Sequence, residues 1–302
     1  MQVEQVRFRS GDGECGADLY LPSDRASGER HAAIVLGSGF ATRKESIKPH
    51  AEYFARAGFV ALAIDYRTFG VSSGEPRGQV FPLWQAEDYR SGVSYLEMRG
   101  EVDPDRIGIW GMSFAGGVVL HAAAFDPRIK AVVSQTPVVN GWRWAQGLRP
   151  RGEWEKLLGV TLIEDRRRRA AGEPSRKIPH SGAMYAAMPF SEPDMAEVDV
   201  MRAPDGSLPM HVEPRVTLES LEKVIEFLPD AVVDRIAPRA LCIIGVTGFD
   251  AVHPLDQIQE AYRRAGEPKQ LVLLPYREFG VYVEPGRTVA LDHARAWFVA
   301  NM

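Results

Sequence analysis

The sequence predicts an α/β fold: a mainly parallel, eight-stranded sheet flanked by helices, with one helical lid inserted into it. Three observations support this prediction. Short apolar segments typical of buried strands alternate with helix-like segments along most of the chain. The chain opens with two alternating segments around a turn, which indicates an antiparallel hairpin. The alternation stops between residues 140 and 234 and then resumes.

The eight strands are predicted in order along the chain. The opening hairpin pairs Val3–Arg9 with Cys15–Leu21 across the turn-rich sequence SGDGE. The other strands are predicted in the apolar runs at residues 32–39, 59–67, 106–111, 129–137, 239–246 and 269–275. Helices are predicted between them, one ending at Gly58, others at Pro82–Met98, 115–125 and Leu255–Ala265, and a last one reaching Trp297. We assign residues 1–139 and 235–302 to the core and residues 140–234 to the lid.

The predicted lid is rich in large, adaptable side chains. It contains Trp142, Trp144 and Trp154 and five methionines between Met184 and Met210. Taken singly, each of these residues is best explained by a peripheral helical pair packing its own core. Taken together, they predict an apolar pocket between lid and sheet for a medium-sized hydrophobic molecule.

Composition and charge narrow the class of protein. Of the 302 residues, 45% are hydrophobic and 25% are charged, and the net charge is -4. These values are typical of a globular protein and give no reason to expect a nucleic-acid partner. No run approaches the ~20 apolar residues of a membrane span, and the first residues lack the apolar stretch of a secretory signal. We therefore predict a cytoplasmic protein that does not bind membranes.

Small-molecule chemistry without a cofactor is predicted. Cys15 and Cys242 each lie in a strand-like run, so they are expected to be buried thiols and not a disulfide. No His, Cys and Asp cluster has metal-ligand spacing, and GSGFAT lacks the glycine spacing of a dinucleotide fingerprint. The predicted partner is a small-molecule substrate, and a homo-oligomer is left open.

Ser113 is the candidate nucleophile. It lies in the segment Gly111–Gly117, GMSFAGG, between an apolar strand and a helix of small residues. A serine exposed on a sharp strand-to-helix turn, the nucleophile elbow, requires small residues two positions before and two positions after it. Gly111 meets this requirement, and Ala115 adds one methyl group where glycine is usual.

Four segments together resemble the α/β-hydrolase superfamily, and within it the dienelactone hydrolase-like and peptidase-like serine esterase group. They are GSGFATRKE (Gly37–Glu45), DYRTFGVSSGEPRG (Asp65–Gly78), DPDRIGIWGMSFAGG (Asp103–Gly117) and DAVHP (Asp250–Pro254). The resemblance extends over nearly the whole chain. It implies an α/β-hydrolase fold and an enzyme that acts on an ester, lactone or related acyl bond.

The resemblance also implies roles for particular residues. The backbone N–H groups of Phe114 and Phe40 are the expected oxyanion-hole donors, with Ser38 where the family usually has histidine. Asp250 ends the seventh strand, where the family has the acid of its catalytic triad. Asp65 and Arg67 belong to a motif that braces the loops around the site, so they are expected to be structural.

The chain departs from the family pattern after the last strand. The family has a histidine in a sequence similar to Pro-Gly-x-x-His-Phe-x-x-Tyr. Aligning Pro275, Phe279 and Tyr282 with this pattern puts Glu278 in the histidine position, or Arg277 after a small shift. Glu278 is then expected opposite Ser113 and near Asp250, a pairing that should raise the pKa of one of the two carboxyl groups.

Other histidines could supply the missing base. His253, three residues after Asp250 on a loop at the correct edge of the sheet, is the best substitute, although local hydrogen bonding within its loop is the simpler expectation. His180 and His211 belong to the lid, and the sequence does not place them near Ser113.

Three functions stay open at this point. The first is a hydrolase with an altered triad, either Ser113–Glu278–Asp250 or Ser113–His253–Asp250. The second is an enzyme of the same fold that catalyses cyclisation, elimination or isomerisation in a biosynthetic pathway. The third is a non-catalytic binding protein, which the intact elbow disfavours because a binder does not need a strained Ser113. A deliberate replacement of the histidine would give the same sequence.

Overall fold

A mainly parallel sheet with helices on both faces forms the core of the protein. The structure is a computed structural model, and it describes residues 1–23, 28–179, 212–213, 215–277 and 279–302. The strands are β1 (Gln2–Ser10), β2 (Gly13–Leu21), β3 (His31–Gly37), β4 (Val60–Ile64), β5 (Val102–Met112), β6 (Ala131–Gln135), β7 (Lys177–Pro179), β8 (Arg215–Thr217), β9 (Ala240–Val246) and β10 (Lys269–Leu274).

Eight of these strands form one sheet in the order β1-β2-β4-β3-β5-β6-β9-β10. The β1–β2 and β2–β4 pairs are antiparallel, and the other neighbours are parallel. The carboxyl ends of β3, β5, β6 and β9 therefore meet at one edge of the sheet. The predicted eight-stranded α/β fold with an opening hairpin is confirmed.

Helices cover both faces of the sheet. They are α1 (Lys48–Arg56), α2 (Pro82–Glu97), α3 (Phe114–Ala124), α4 (Gly141–Gly147), α5 (Arg151–Lys156), α6 (Leu162–Ala170), α7 (Leu218–Ile225), α8 (Leu255–Arg264) and α9 (Gly286–Asn301). One apolar cluster lies between the sheet and α2, α3 and α8, and a second lies between the sheet and α1 and α9. Every residue of β3 and β4 is buried, as expected for parallel strands covered on both sides.

Local sequence explains where several helices begin and end. Helix α2 starts at Pro82, whose fixed φ suits the first helical position. Gly58 follows α1 with φ 93°, a left-handed conformation that stops a helix and favours glycine. The Asn140 side chain accepts a hydrogen bond from the Arg143 N–H and caps α4.

The segment between β6 and β9 contains α4 to α7 and the two-stranded β7–β8 sheet. Helix α4 packs closely on α7, where a Cβ on Gly141 would overlap the Val224 carbonyl oxygen. Trp144 and Trp154 are buried, whereas Trp142 is 44% exposed and lies edge-on against Trp154. The five methionines, His180 and His211 lie outside the described residues, so the apolar pocket and the division into core and lid stay predictions.

Two smaller predictions concern the cysteines and the membrane. Cys15 and Cys242 are buried free thiols, as expected. No helix in the described ranges combines the length and apolar character needed to cross a membrane.

Candidate active site

Ser113 lies on a tight turn between β5 and α3. Its backbone is in an unusual region, with φ 55° and ψ −123°, which is strained for a residue with a side chain. Backbone bonds hold the turn from both sides: the Ser113 N–H donates to Gln135 O at 2.9 Å, and its carbonyl accepts from Val138 N at 3.1 Å. The side chain is partly exposed, so a substrate can reach it.

Close packing explains why the residues around Ser113 are small. A Cβ on Gly111 would lie 2.5 Å from the Ala115 carbonyl oxygen, and one on Gly116 would lie 2.9 Å from Pro137 Cα. Both approaches are closer than real Cβ contacts allow, so neither position accepts a side chain without a shift of backbone. The methyl group of Ala115 is accommodated in the core, where this residue is 1% exposed.

The loop after β9 carries Asp250 and His253. The Asp250 Oδ1 accepts hydrogen bonds from the backbone N–H groups of Val252 at 3.0 Å and His253 at 2.7 Å. The His253 Nδ1 lies 3.1 Å from Asp250 Oδ1 and 2.9 Å from Oδ2. One carboxylate therefore both closes the turn and contacts the imidazole ring.

The other side of the His253 ring meets the serine. Its Nε2 lies 2.9 Å from Ser113 Oγ, although the two residues are 140 positions apart in the chain. Because Nδ1 faces a carboxylate, the tautomer that fits carries its proton on Nδ1 and leaves Nε2 to accept from the serine hydroxyl. Ser113, His253 and Asp250 thus form a continuous hydrogen-bonded chain, and His253 is not confined to bonds within its own loop as the sequence favoured.

Burial and charge act in opposite directions on Asp250. Burial of the carboxyl group opposes ionisation, but the charge that His253 can carry and the three N–H donors around it hold its pKa below the usual value. The rise in pKa expected from a neighbouring carboxylate therefore does not occur at Asp250. Glu278 itself lies outside the described residues, so its predicted position opposite Ser113 is not described.

The loop after β3 lies against the serine. A Cβ on Gly39 would be 3.3 Å from Ser113 Cβ, a tight contact that would require the serine to shift by a few tenths of an ångström. Ser38 is buried, and its hydroxyl donates to Thr42 O at 2.8 Å. This hydrogen bond within the loop gives the Ser38 side chain a structural role. The Phe40 and Phe114 rings meet edge to face with centroids 5.6 Å apart, and the Trp144 ring is 5.7 Å from Phe40.

Asp65 and Arg67 occupy structural positions, as expected. The buried Asp65 carboxylate accepts from the backbone N–H groups of Lys44 at 2.8 Å and Val71 at 3.1 Å. Arg67 pairs with the fully buried Asp88 at 2.7 Å. These contacts brace the loops beside the site and leave neither side chain available to a substrate.

Two further residues lie near the site: Tyr282, whose position served only to align the last loop with the family pattern, and Thr136, which no motif in the sequence marks. Among the residues that the structure describes, no three His, Cys, Asp or Glu side chains are grouped closely enough to hold a metal ion.

Comparisons with known proteins agree with the fold. Residues 1–150 match a family model described as PET hydrolase-like. The quorum-quenching protein AidA of Acinetobacter baumannii is 32% identical over 241 residues, which cover 79% of this chain and 76% of AidA. A thiohydrolase of Eupenicillium brefeldianum is 28% identical over 270 residues, 88% of this chain and 83% of that protein. The crystal structure of the hypothetical protein PA2218 from Pseudomonas aeruginosa has a TM-score of 0.86 at 26% identity and covers 100% of this chain and 94% of that one.

Proposed function

The chain belongs to the α/β-hydrolase family and is an enzyme of the hydrolase type; from this premise we propose that it cleaves an ester, lactone or thioester bond of a small, mainly hydrophobic metabolite. Ser113 is the nucleophile, His253 the base and Asp250 the acid that orients the base. One observation carries the proposal: the hydrogen-bonded chain from Asp250 through His253 Nδ1 and Nε2 to Ser113 Oγ, with 2.9 Å between Nε2 and Oγ.

Acylation begins at the serine. Ser113 Oγ bonds to the acyl carbon while its proton passes to His253 Nε2, because a neutral hydroxyl is a weak nucleophile. The ionised Asp250 stabilises the imidazolium that results. The imidazolium then protonates the leaving oxygen or sulfur, and the acyl group stays on Ser113. Water attacks this acyl-serine with His253 again as base, which releases the acid and restores the serine.

Two backbone N–H groups stabilise the negative charge on the acyl oxygen in this proposal. Phe114 opens helix α3 directly after the nucleophile, so its N–H lies at the positive end of the helix dipole. Phe40 follows Gly39, whose backbone approaches Ser113 closely. Donors fixed in the backbone need no reorganisation during the reaction.

The substrate class rests on the surroundings of the serine and on the relatives. The two residues that carry the proposed oxyanion donors, Phe40 and Phe114, have buried rings that pack on one another and on Trp144, so the wall behind the serine is apolar and favours an apolar acyl group over a charged one. The similarity to a protein described as a thiohydrolase supports including thioesters.

The first prediction tests the nucleophile and the base together. A fluorophosphonate, which reacts with an activated serine whatever the natural substrate, should label the parent protein at Ser113. Ser113→Ala should abolish labelling, and His253→Gln should slow it by at least about 10³-fold because the hydroxyl loses its base. Peptide mass spectrometry locates the label, and a p-nitrophenyl ester series reports turnover and the preferred acyl length.

Exposed residues of the same types supply matched controls. Ser23→Ala and His293→Gln change surface positions and should label at the parent rate. Failure of the parent protein to react, or a label on another residue, would remove Ser113 from the mechanism. Full reactivity of His253→Gln would assign the base elsewhere.

A further inference from the structure

The loop after β10 is where the family resemblance expects a histidine, and in this chain it approaches the site with a different residue. The ring of Tyr282 lies beside the His253 imidazole, with centroids 6.3 Å apart and planes at 88°. This is an edge-to-face aromatic contact, a favourable arrangement for two rings. Tyr282 is partly buried and lies on a third element, separate from those that carry Ser113 and Asp250.

The same loop is tied to the end of β6. The Tyr282 hydroxyl and the Thr136 Oγ1 share a hydrogen bond of 2.6 Å. One residue earlier on each side, the Gln135 Nε2 donates to the Val281 carbonyl at 3.3 Å. Two adjacent hydrogen bonds, one to the Val281 carbonyl and one to the Tyr282 hydroxyl, therefore hold this part of the loop against the end of β6.

Thr136 has a strained backbone. Its φ is 42°, a left-handed value that is a genuine outlier for a β-branched residue. The residue is fully buried, and its N–H donates to Ile244 O of β9 at 2.6 Å. Such strain persists only where the surroundings enforce it, and it is commonly found at functional sites. The preceding residue, Gln135, accepts the Ser113 N–H. Thr136 therefore follows directly after the residue that binds the Ser113 N–H, and its own side chain binds the Tyr282 hydroxyl.

The hydrogen bonds of His253 to Asp250 do not by themselves determine the orientation of its ring. Its bonds to Asp250 hold the Nδ1 edge, but rotation about the Cβ–Cγ bond of a histidine is only weakly restricted by the torsion itself. A small combined change of both side-chain torsions that pivots the ring about Nδ1 would keep the Asp250 contact and move Nε2 out of line with Ser113 Oγ. Packing against the ring must therefore select the productive orientation.

We propose that Tyr282 is a positioning residue for His253, held in place by the strained Thr136. The proposal rests on the proposed function, since it assigns His253 as the base. In the family pattern the loop after the last strand supplies the histidine that accepts the proton. In this chain the same loop supports His253, which lies on the loop after β9. Tyr282 does not exchange a proton with the substrate; it fixes the distance and direction from Nε2 to Oγ.

The test uses three variants on the full-length chain. Tyr282→Leu removes the ring, Tyr282→Phe keeps the ring and removes the tether, and Thr136→Val removes the tether from the other side. Tyr282→Leu should slow fluorophosphonate labelling and the kcat for a p-nitrophenyl ester by ~10–100-fold, a loss typical of a misplaced catalytic group, with KM within about 2-fold. The two tether variants should each give a smaller loss, and Tyr282→Phe combined with Thr136→Val should lose no more than either alone, because both remove one shared bond.

Tyr53→Phe is the matched control, since it also removes a tyrosine hydrogen bond, to Asp292, but one that joins α1 to α9 and touches no residue of the proposed triad. Its rate should equal that of the parent. Unchanged kcat in folded Tyr282→Leu would overturn the proposal, as would a rise in KM alone, which would make Tyr282 part of the substrate pocket. If Tyr282→Leu does not fold, additive losses in the two conservative variants would overturn it. The proposed function fails separately, when the parent protein is not labelled at Ser113.

Discussion

At Asp250, one carboxylate performs two tasks within four residues. It accepts backbone N–H groups from Val252 and His253, which closes the turn, and it contacts the His253 ring. Because the turn itself brings the ring to Ser113, the loop after β10 does not have to supply a histidine. This local geometry explains how a chain without a histidine in that loop still links Ser113, His253 and Asp250 by hydrogen bonds.

A prediction at Glu278 distinguishes the two alternative triads, one with Glu278 and one with His253 as the base. Glu278→Gln should change the rate of Ser113 labelling by less than about 2-fold, because His253 Nε2 already lies 2.9 Å from the serine hydroxyl. Glu278→His should add nothing for the same reason. The measurement is the fluorophosphonate labelling rate at neutral pH beside His253→Gln. Abolished labelling in Glu278→Gln would restore the carboxylate as the base.

The site could be predicted from the sequence only in part. The apolar pattern places Ser113 and Asp250 directly after strands, and the family resemblance implies that the two residues belong to one site. The contact of His253 with Ser113 depends on the conformation of a three-residue turn, and no periodic pattern encodes that conformation. The spacing of Asp250 and His253, together with a last loop lacking histidine, was the available signal, but local hydrogen bonding of the histidine was the simpler explanation of it.

At the scale of elements, helix α3 shows how backbone packing constrains sequence near the serine. A Cβ on Gly117 would overlap the Val138 carbonyl oxygen and lie 3.3 Å from the Pro229 side chain. Gly117→Ala should therefore lower the free energy of unfolding by about 1–3 kcal/mol, the usual cost of overpacking. Urea denaturation measures the change.

Gly147, the last residue of α4, provides the comparison. A Cβ there would meet no atom of the described residues within 4 Å, so Gly147→Ala should leave stability unchanged or raise it by up to about 1 kcal/mol through the better helix propensity of alanine. Equal effects of the two substitutions would show that propensity, and not the contact of α3 with residue 138, controls stability at Gly117.

Element types were predicted better than element ends. The final helix continues to Asn301, beyond the predicted end at Trp297, because Phe298 is fully buried between Phe54 and Phe59. The polar residues of the final turn gave no reason to extend it, whereas the packing of one ring does. Strand β5 likewise begins at Val102, earlier than the apolar run at 106–111, because pairing of His31 with Val102 extends the ladder.

At the scale of the whole molecule, both layers beside the sheet contain a histidine whose charged form is disfavoured. His50 lies on α1 and is buried against Trp110. Neither of its ring nitrogens has a hydrogen-bond partner in the described part of the chain. Burial, with repulsion from Arg287, lowers the pKa of His50 to about 3. Burial also lowers the pKa of His121, on α3 in the other layer, to about 4. Both residues are therefore neutral in the folded protein above about pH 4.

The sign of the resulting pH dependence follows from proton binding. Unfolding returns each histidine to a pKa of about 6.5, so the unfolded chain binds more protons than the folded one between pH 6.5 and about 4. Stability therefore falls as the pH decreases through this window, by up to about 1.4 kcal/mol per pH unit for the fully buried His50 and by less for the partly exposed His121. Carboxyl groups with a lowered pKa, such as Asp250 and Glu284, reduce stability in the same direction, but only near and below pH 4.

The last prediction isolates His50. His50→Phe keeps an aromatic ring against Trp110 and removes the titrating group, so its free energy of unfolding should decline less steeply than that of the parent between pH 6.5 and 4.5. Urea denaturation at several pH values measures the two slopes. The difference in slope should approach about 1.4 kcal/mol per pH unit near pH 5, because His50 is then neutral when folded and charged when unfolded. Parallel slopes for parent and His50→Phe would mean that His50 accepts a proton in the folded protein, and the layer between α1 and the sheet would then have to admit water.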